Sequence, residues 1–216
     1  MEYIVRSHRY GELILEQKYP ELWKQIKDAI EIISDDEIIK LQKSKFKKQK
    51  SISKALNTLI EEKLVNQGWD KESAIFKYDK EDDKEDDASI DYKQYKRAAW
   101  RLDFAKDHIS IEVGFNHGEA IAWNLLKPVL SAEVNHVAKS KQTRVGVVIC
   151  ATEELKKAGG FDSAVGPYEK INTYLLPLSN YLTVPMAIVG LKAPKTFDIE
   201  VIKDKDGNKG HIRRLK

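Results

Sequence analysis

The stretch Arg101-Leu-Asp-Phe-Ala-Lys-Asp-His-Ile-Ser-Ile-Glu-Val-Gly-Phe115 decides how this chain is read. From His108 to Phe115, the residues Ile109, Ile111, Val113 and Phe115 alternate with less apolar neighbours, the period-two pattern of a strand. Glu112 falls inside that strand. If both faces of the sheet are covered, a carboxylate there needs a partner, because burying an unpaired charge is costly. Asp103 stands nine residues earlier, enough for a turn and a return strand. Two acidic groups converging at a sheet edge are what a hard divalent cation such as Mg²⁺ requires. An Asp in a turn and a Glu on a solvent-facing strand would share that spacing, so the pair alone does not separate a site from a surface.

The 216 residues suit a single domain, 1–216, with one well-filled core. Net charge is only +3, from 37 basic and 34 acidic residues, so the total does not announce a nucleic-acid binder. Distribution is more informative. A basic loop is expected within 35–52, rich in lysines such as Lys45, Lys47 and Lys48, and an acidic, solvated loop within 79–88. A basic extension, 196–216, ends the chain. The single cysteine, Cys150, excludes an intramolecular disulfide and sits in an apolar run, as a core residue in a reducing compartment would. No apolar stretch reaches the length of a membrane span and the first ten residues lack a signal-peptide core, so a soluble, cytoplasmic protein is expected.

Helical spacing predicts a first helix from Pro20 to about Ser34, carried by Leu22, Ile26, Ile30 and Ile33. A second is expected after Ser53 as its cap, with Leu56, Leu59, Ile60 and Leu64 on one stripe and Gly68 at the exit. Tyr92 to Trp100 reads as helical, and Glu119 to Val137 as a long helix that Pro128 kinks or interrupts. Val145-Gly-Val-Val-Ile-Cys150 is a nearly continuous apolar run, the mark of a central strand buried on both faces. A helix over Tyr168 to Leu176 and a buried strand over Val184 to Leu191 follow. Phe197 to Ile202 alternates, and the Asp206-Gly207-Asn208 turn leads to a short closing strand. The fold class is α/β: a central mixed β-sheet flanked by helices.

Asp103-Phe104-x-Lys106-Asp107, followed by Ile111-Glu112-Val113-x-Phe115, resembles the active-site hairpin of the BglII/BstYI family of type II restriction endonucleases, in the PD-(D/E)XK nuclease superfamily. Pro20-Glu-Leu-Trp23-Lys-Gln-Ile26 is similar to that family's first helix. Ala55-Leu56-Asn57 through Glu62-Lys63-Leu64 to Gly68-Trp69 resembles its second helix, and Val184-Pro185 through Val189-Gly190 its late strand. The matching blocks keep their order over about residues 10 to 194.

This resemblance implies a restriction-endonuclease-like core and Mg²⁺-dependent hydrolysis of double-stranded DNA at a short palindromic site. It further implies 5′ overhangs, a homodimer and a cognate DNA methyltransferase. Asp103 and Glu112 become the catalytic, metal-binding carboxylates, with the Val113 main-chain carbonyl as a further ligand. Asn116 and His117 fall where the family places DNA-contacting side chains, although Asn116-His117-Gly118 also reads as a turn with Asn116 capping the next helix. Lys45, Lys47 and Lys48 are candidate phosphate contacts on what is otherwise an ordinary solvated loop.

One departure stands out. The superfamily carries Lys, and this branch Gln, two residues after the second acid, on the same face of the strand. Here that position is Gly114, which cannot hold a water. A replacement group is one explanation, with Lys106, Asn116 and Glu119 nearest in sequence. A second metal or a substrate phosphate is another, and a slow or inactive enzyme a third. A non-catalytic DNA-binding protein on a nuclease fold and a repair or RNA nuclease of the same superfamily are the competing functions.

Overall fold

The computed structural model describes residues 1–76, 100–115, 117–133, 139–205 and 207–215. The acidic run from Asp79 to Asp87, and all of the helix expected from Tyr92 to Trp100 except Trp100 itself, lie outside them. In chain order the elements are β1 (Tyr3–His8), α1 (Gly11–Lys18), α2 (Pro20–Glu31), α3 (Asp35–Ser44), α4 (Ser53–Asn66), β2 (Asp70–Ala74), β3 (Arg101–Lys106) and β4 (Ile109–Gly114). After a 3₁₀ turn at Gly118–Ala120 come α5 (Ile121–Glu133), β5 (Val145–Ala151), α6 (Glu153–Ala158), α7 (Tyr168–Leu175) and β6 (Met186–Leu191). The hairpin β7 (Phe197–Asp204) and β8 (Gly207–Arg214) closes the chain.

Strands β4, β5 and β6 run parallel at the centre of a six-stranded sheet of order β1-β6-β5-β4-β3-β2, and the outer pairings are antiparallel. Parallel neighbours require crossover connections, so helices must cover the sheet. This is the mixed sheet flanked by helices that the sequence predicts. All residues of β5 and β6 are buried, which explains their near-continuous apolar runs.

Alternation along these strands feeds two cores. Ile109, Ile111, Val147, Ile149 and Val189 pack with Trp23, Ile26, Ile30, Leu56 and Ile60 from α2 and α4. Val148, Cys150, Met186 and Ile188 pack with Ile121 and Leu125 of α5 and Tyr168 and Ile171 of α7. Because Glu112 pairs in register with Val148, it belongs to the α5 side of the sheet.

Several local features differ from expectation. Residues 35–44, read as part of the basic loop, form α3. Ser34 and Glu37 make a reciprocal capping box, with Ser34 Oγ accepting the Glu37 N–H at 3.2 Å and Glu37 Oε2 the Ser34 N–H at 3.0 Å. The basic loop therefore begins at Lys45. Ser53 is the first helical residue of α4 and not its cap; buried Ile52 takes that place and donates its N–H to the Gly159 carbonyl. Pro128 lies inside α5 without ending it, its ring against Gly146 of β5. Strands β1 and β2 and helix α1 are not anticipated by any pattern in the sequence.

The terminal hairpin is fixed to the first turn of α3. Asp35 Oδ2 accepts the Thr196 N–H and hydroxyl at 2.9 and 2.8 Å, and Arg214 pairs with Asp36 at 3.2 Å. Phe197 and Ile199 join the first core. No helix among the described residues is long and apolar enough to cross a membrane.

Candidate active site

Hairpin β3–β4 positions the two carboxylates. Asp107 turns it with φ of 47°, a left-handed conformation that Asp tolerates. The paired register runs from Lys106↔Ile109 to Phe104↔Ile111. At the next level the carboxylates take the hydrogen bonds. Val113 donates its N–H to Asp103 Oδ2 at 2.7 Å, and the Asp103 N–H points to Glu112 Oε1 at 3.4 Å. The two side chains thus face each other across the hairpin, each held by the other strand's backbone.

Their surroundings differ. Asp103 and Val113 line an open cleft of about 350 Å³ together with Phe104, Asn57 and Glu61 of α4, and Lys71 and Glu72 of β2. Lys71 pairs with Glu61 at 2.6 Å and Arg101 with Glu72 at 3.3 Å, so both of those acids already carry a cation. Glu112 is only 1% exposed. Its Oε2 makes an ion pair with Lys127 of α5, itself 8% exposed. Burial first, then the Asp103 charge, pushes the Glu112 carboxyl up to about 8 against the opposing pull of Lys127. One ammonium group therefore does not offset two adjacent carboxylates in so dry a place.

Gly114 lies beyond Glu112 on the same face. A Cβ built there would come within 2.8 Å of Asn124 Nδ2, so the Asn124 side chain of α5 occupies the space a side chain would need. Of the three residues considered as substitutes, Lys106 donates instead to Gln25 Oε1 at 3.1 Å and to the Gln67 carbonyl at 2.6 Å. Glu119 is exposed on the 3₁₀ turn, and Asn116 lies outside the described residues. Asn124 and Lys127 were missed by sequence reasoning. One signal was available: Lys127 is the only charged residue from Ile121 to Ala132, an isolated cation in an otherwise apolar helix.

Lys45, Lys47 and Lys48 are exposed on a loop whose backbone is well anchored. Gln42 Nε2 donates to the Phe46 and Gln49 carbonyls, both at 3.3 Å, and Gly210 of β8 donates to the same Gln49 carbonyl at 3.1 Å. His117 is exposed and bridges to Val165, while Gly118 donates to the Ala164 carbonyl at 2.7 Å. The two regions approach one another at Asp162. The Ala164 N–H and then the Lys50 ammonium, 3.3 Å away, hold its carboxyl below the usual range, with the His117 charge adding to them. Cys150 is fully buried, and burial raises its thiol pKa.

The fold matches solved structures along its whole length. One is restriction endonuclease BglII in complex with a DNA 16-mer, with a TM-score of 0.66 and 18% identity over 100% of both chains. Another is free BglII, with a TM-score of 0.55 and 17% identity, again over 100% of both chains. No curated protein sequence matches the chain. At such identities these structures speak for the fold. The family model "Restriction endonuclease BglII/BglIII" matches the sequence itself over residues 3–191. The chain belongs to the BglII/BglIII family of restriction endonucleases.

Proposed function

We propose that this restriction endonuclease hydrolyses double-stranded DNA at a short palindromic site, using Asp103, Glu112 and a divalent cation, with Mg²⁺ the natural choice. The observation that carries this reading is the pairing of Asp103 and Glu112 across β3–β4 at the edge of an open cleft.

The donor set fits a hard cation. Both carboxylates offer oxygen, Val113 beside them brings a main-chain carbonyl, and Glu112 carries a pKa that a nearby positive charge would bring down. Among the described residues no three His, Cys, Asp or Glu side chains converge as a ready-made cage, so the backbone oxygen of Val113 completes the proposed set. A bound cation of this kind supplies charge neutralisation at the phosphate and activation of water.

Hydrolysis joins a water oxygen to phosphorus and breaks the P–O3′ bond, leaving a 5′-phosphate and a 3′-hydroxyl. Asp103 faces the cleft in which the cation and phosphate would sit, its orientation fixed by the Val113 N–H. Glu112 sits at the base of the site, where water is excluded and electrostatic interactions are strong. Two uncompensated carboxylates would repel a phosphodiester, which is why the reaction needs the cation. Lys45, Lys47 and Lys48 supply sequence-independent phosphate contacts. Asn116 and His117, beyond the end of β4, read bases or phosphate. A palindrome presents two equivalent scissile bonds, so the working form is a two-fold homodimer leaving 5′ overhangs, with a cognate methyltransferase protecting host DNA.

Incubation with phage DNA and Mg²⁺, followed by sequencing of the fragment ends, tests this reading. Discrete fragments with recessed 3′ ends are expected. Binding without cleavage, or unspecific degradation, would overturn it.

A further inference from the structure

Strand β4 carries glycine at the level where the site lacks a polar side chain, and β5 carries another glycine nearby. A Cβ at Gly114 would come within 2.8 Å of Asn124 Nδ2, and a Cβ at Gly146 within 2.7 Å of Pro128 Cβ. Asn124 and Pro128 stand one helical turn apart on α5, so besides the apolar contacts of Ile121 and Leu125 the helix comes close to the sheet at both glycines, through the Asn124 amide at Gly114 and the Pro128 ring at Gly146. Lys127 lies between them. With the helix seated closely at Gly146, the Lys127 ammonium rests on Glu112 Oε2, the oxygen that Asp103 does not contact.

We propose, resting on the nuclease activity proposed above, that Lys127 is the positioning cation of this active site, supplied from helix α5 to the place where Gly114 offers none. It holds the Glu112 carboxylate in one orientation, and Asn124 fills the space above Gly114 beside it. Three observations converge on this assignment. Lys127 is nearly as buried as Glu112. It is the only charged residue on its stretch of the helix. And Lys106, the lysine nearest in sequence, is bonded elsewhere. A lysine placed there merely to fill space would be an expensive choice, since a methionine has similar bulk and no charge to desolvate.

The test compares wild type with Lys127→Met, Lys127→Arg and a relocation variant, Lys127→Met/Asn124→Ala/Gly114→Lys, which moves the ammonium to the strand and clears the space above it. Cleavage of an oligonucleotide duplex containing the mapped site is followed in single turnover with Mg²⁺. Calorimetric titration of Ca²⁺ into the DNA-free protein is the second readout.

Lys127→Met is expected to slow cleavage by about 10- to 100-fold, the usual loss when a group orienting a metal-site carboxylate is removed. DNA binding in Ca²⁺ should be retained. Removing the competing ammonium should also tighten Ca²⁺ binding by roughly tenfold, because like charges a few ångströms apart oppose each other. Lys127→Arg should retain more activity than Lys127→Met, and relocation should recover a large part of both properties. Unchanged cleavage and unchanged Ca²⁺ affinity in Lys127→Met would overturn the assignment, as would equal losses in all three variants without recovery on relocation. A wild-type protein that binds DNA but never cuts would count against the nuclease reading alone, since the Ca²⁺ titration still decides the role of Lys127.

Discussion

Val113 donates its main-chain N–H to the Asp103 carboxylate at 2.7 Å, so at this level β3 and β4 are joined through a side chain and not by a backbone pair. The carboxylate is therefore a structural link of the hairpin as well as the group that lines the cleft. Removing it should be felt twice. Asp103→Ala and Glu112→Ala are each expected to lower Mg²⁺-dependent cleavage by about 100-fold or more while leaving DNA binding measurable in Ca²⁺. Asp103→Ala should in addition melt at a lower temperature, having lost a half-buried hydrogen bond to a charged acceptor, worth at most about 1.5–3 kcal/mol. Cleavage near the wild-type rate in either variant would place the chemistry elsewhere.

A pH dependence follows from the Glu112 carboxyl, which is pushed up to about 8 chiefly by burial and then by Asp103, with Lys127 opposing both. In metal-free protein a raised carboxyl pKa favours the folded state most when the group is protonated. That contribution is complete below about 4.5 and is lost as pH rises to about 8. Glu112→Gln cannot ionise, so its stability relative to wild type should grow with pH by at most about 1.4 kcal/mol per unit across that window. Thermal melts of both proteins in EDTA measure the difference, and parallel pH profiles would refute the shift.

The central hairpin, the buried strands β5 and β6 and helices α2 and α4 were legible because their signal is local: period two, a continuous apolar run, or an apolar stripe. Strand β1 was not. Its partner is β6, with Tyr3 opposite Leu191, and nothing in its own residues announces a pairing so distant in sequence. Strand β2, Asp-Lys-Glu-Ser-Ala, is a polar edge whose hydrogen bonds come from β3. Of the site, Asp103 and Glu112 could be paired by spacing within one hairpin. Lys127 could not, because which face α5 presents to the sheet depends on where Gly114 and Gly146 let it settle.

Neutralising Lys45, Lys47 and Lys48 together should weaken binding to all DNA sequences alike. The salt dependence should flatten by up to about 0.9 per lost phosphate contact. Because Gln42 and Gly210 hold this loop by its backbone, the substitutions should leave the melting temperature nearly unchanged. Filter binding over a range of salt concentrations checks both DNA effects, and an unaltered slope would assign the three lysines to plain solvated surface.

The glycine contacts give two further outcomes. Gly146→Ala forces a methyl group against Pro128 Cβ at 2.7 Å and should destabilise the fold by about 1–3 kcal/mol while slowing cleavage, since α5 is pushed outward. Gly114→Lys in an otherwise unaltered chain meets Asn124 and should also lower the cleavage rate, whereas pairing it with Asn124→Ala should recover part of the loss. A Gly114→Lys enzyme faster than wild type would show that the space was free.

Helix α5 is also the crossover that joins the parallel strands β4 and β5. The two carboxylates come from a hairpin that can close locally, but the ammonium on Glu112 arrives only when that crossover docks. A nascent or partly unfolded chain would hold the paired acids without their counter-charge, a state that repels both itself and DNA. If Lys127 positions Glu112 as proposed, competence to cut belongs to the docked crossover and not to the hairpin alone.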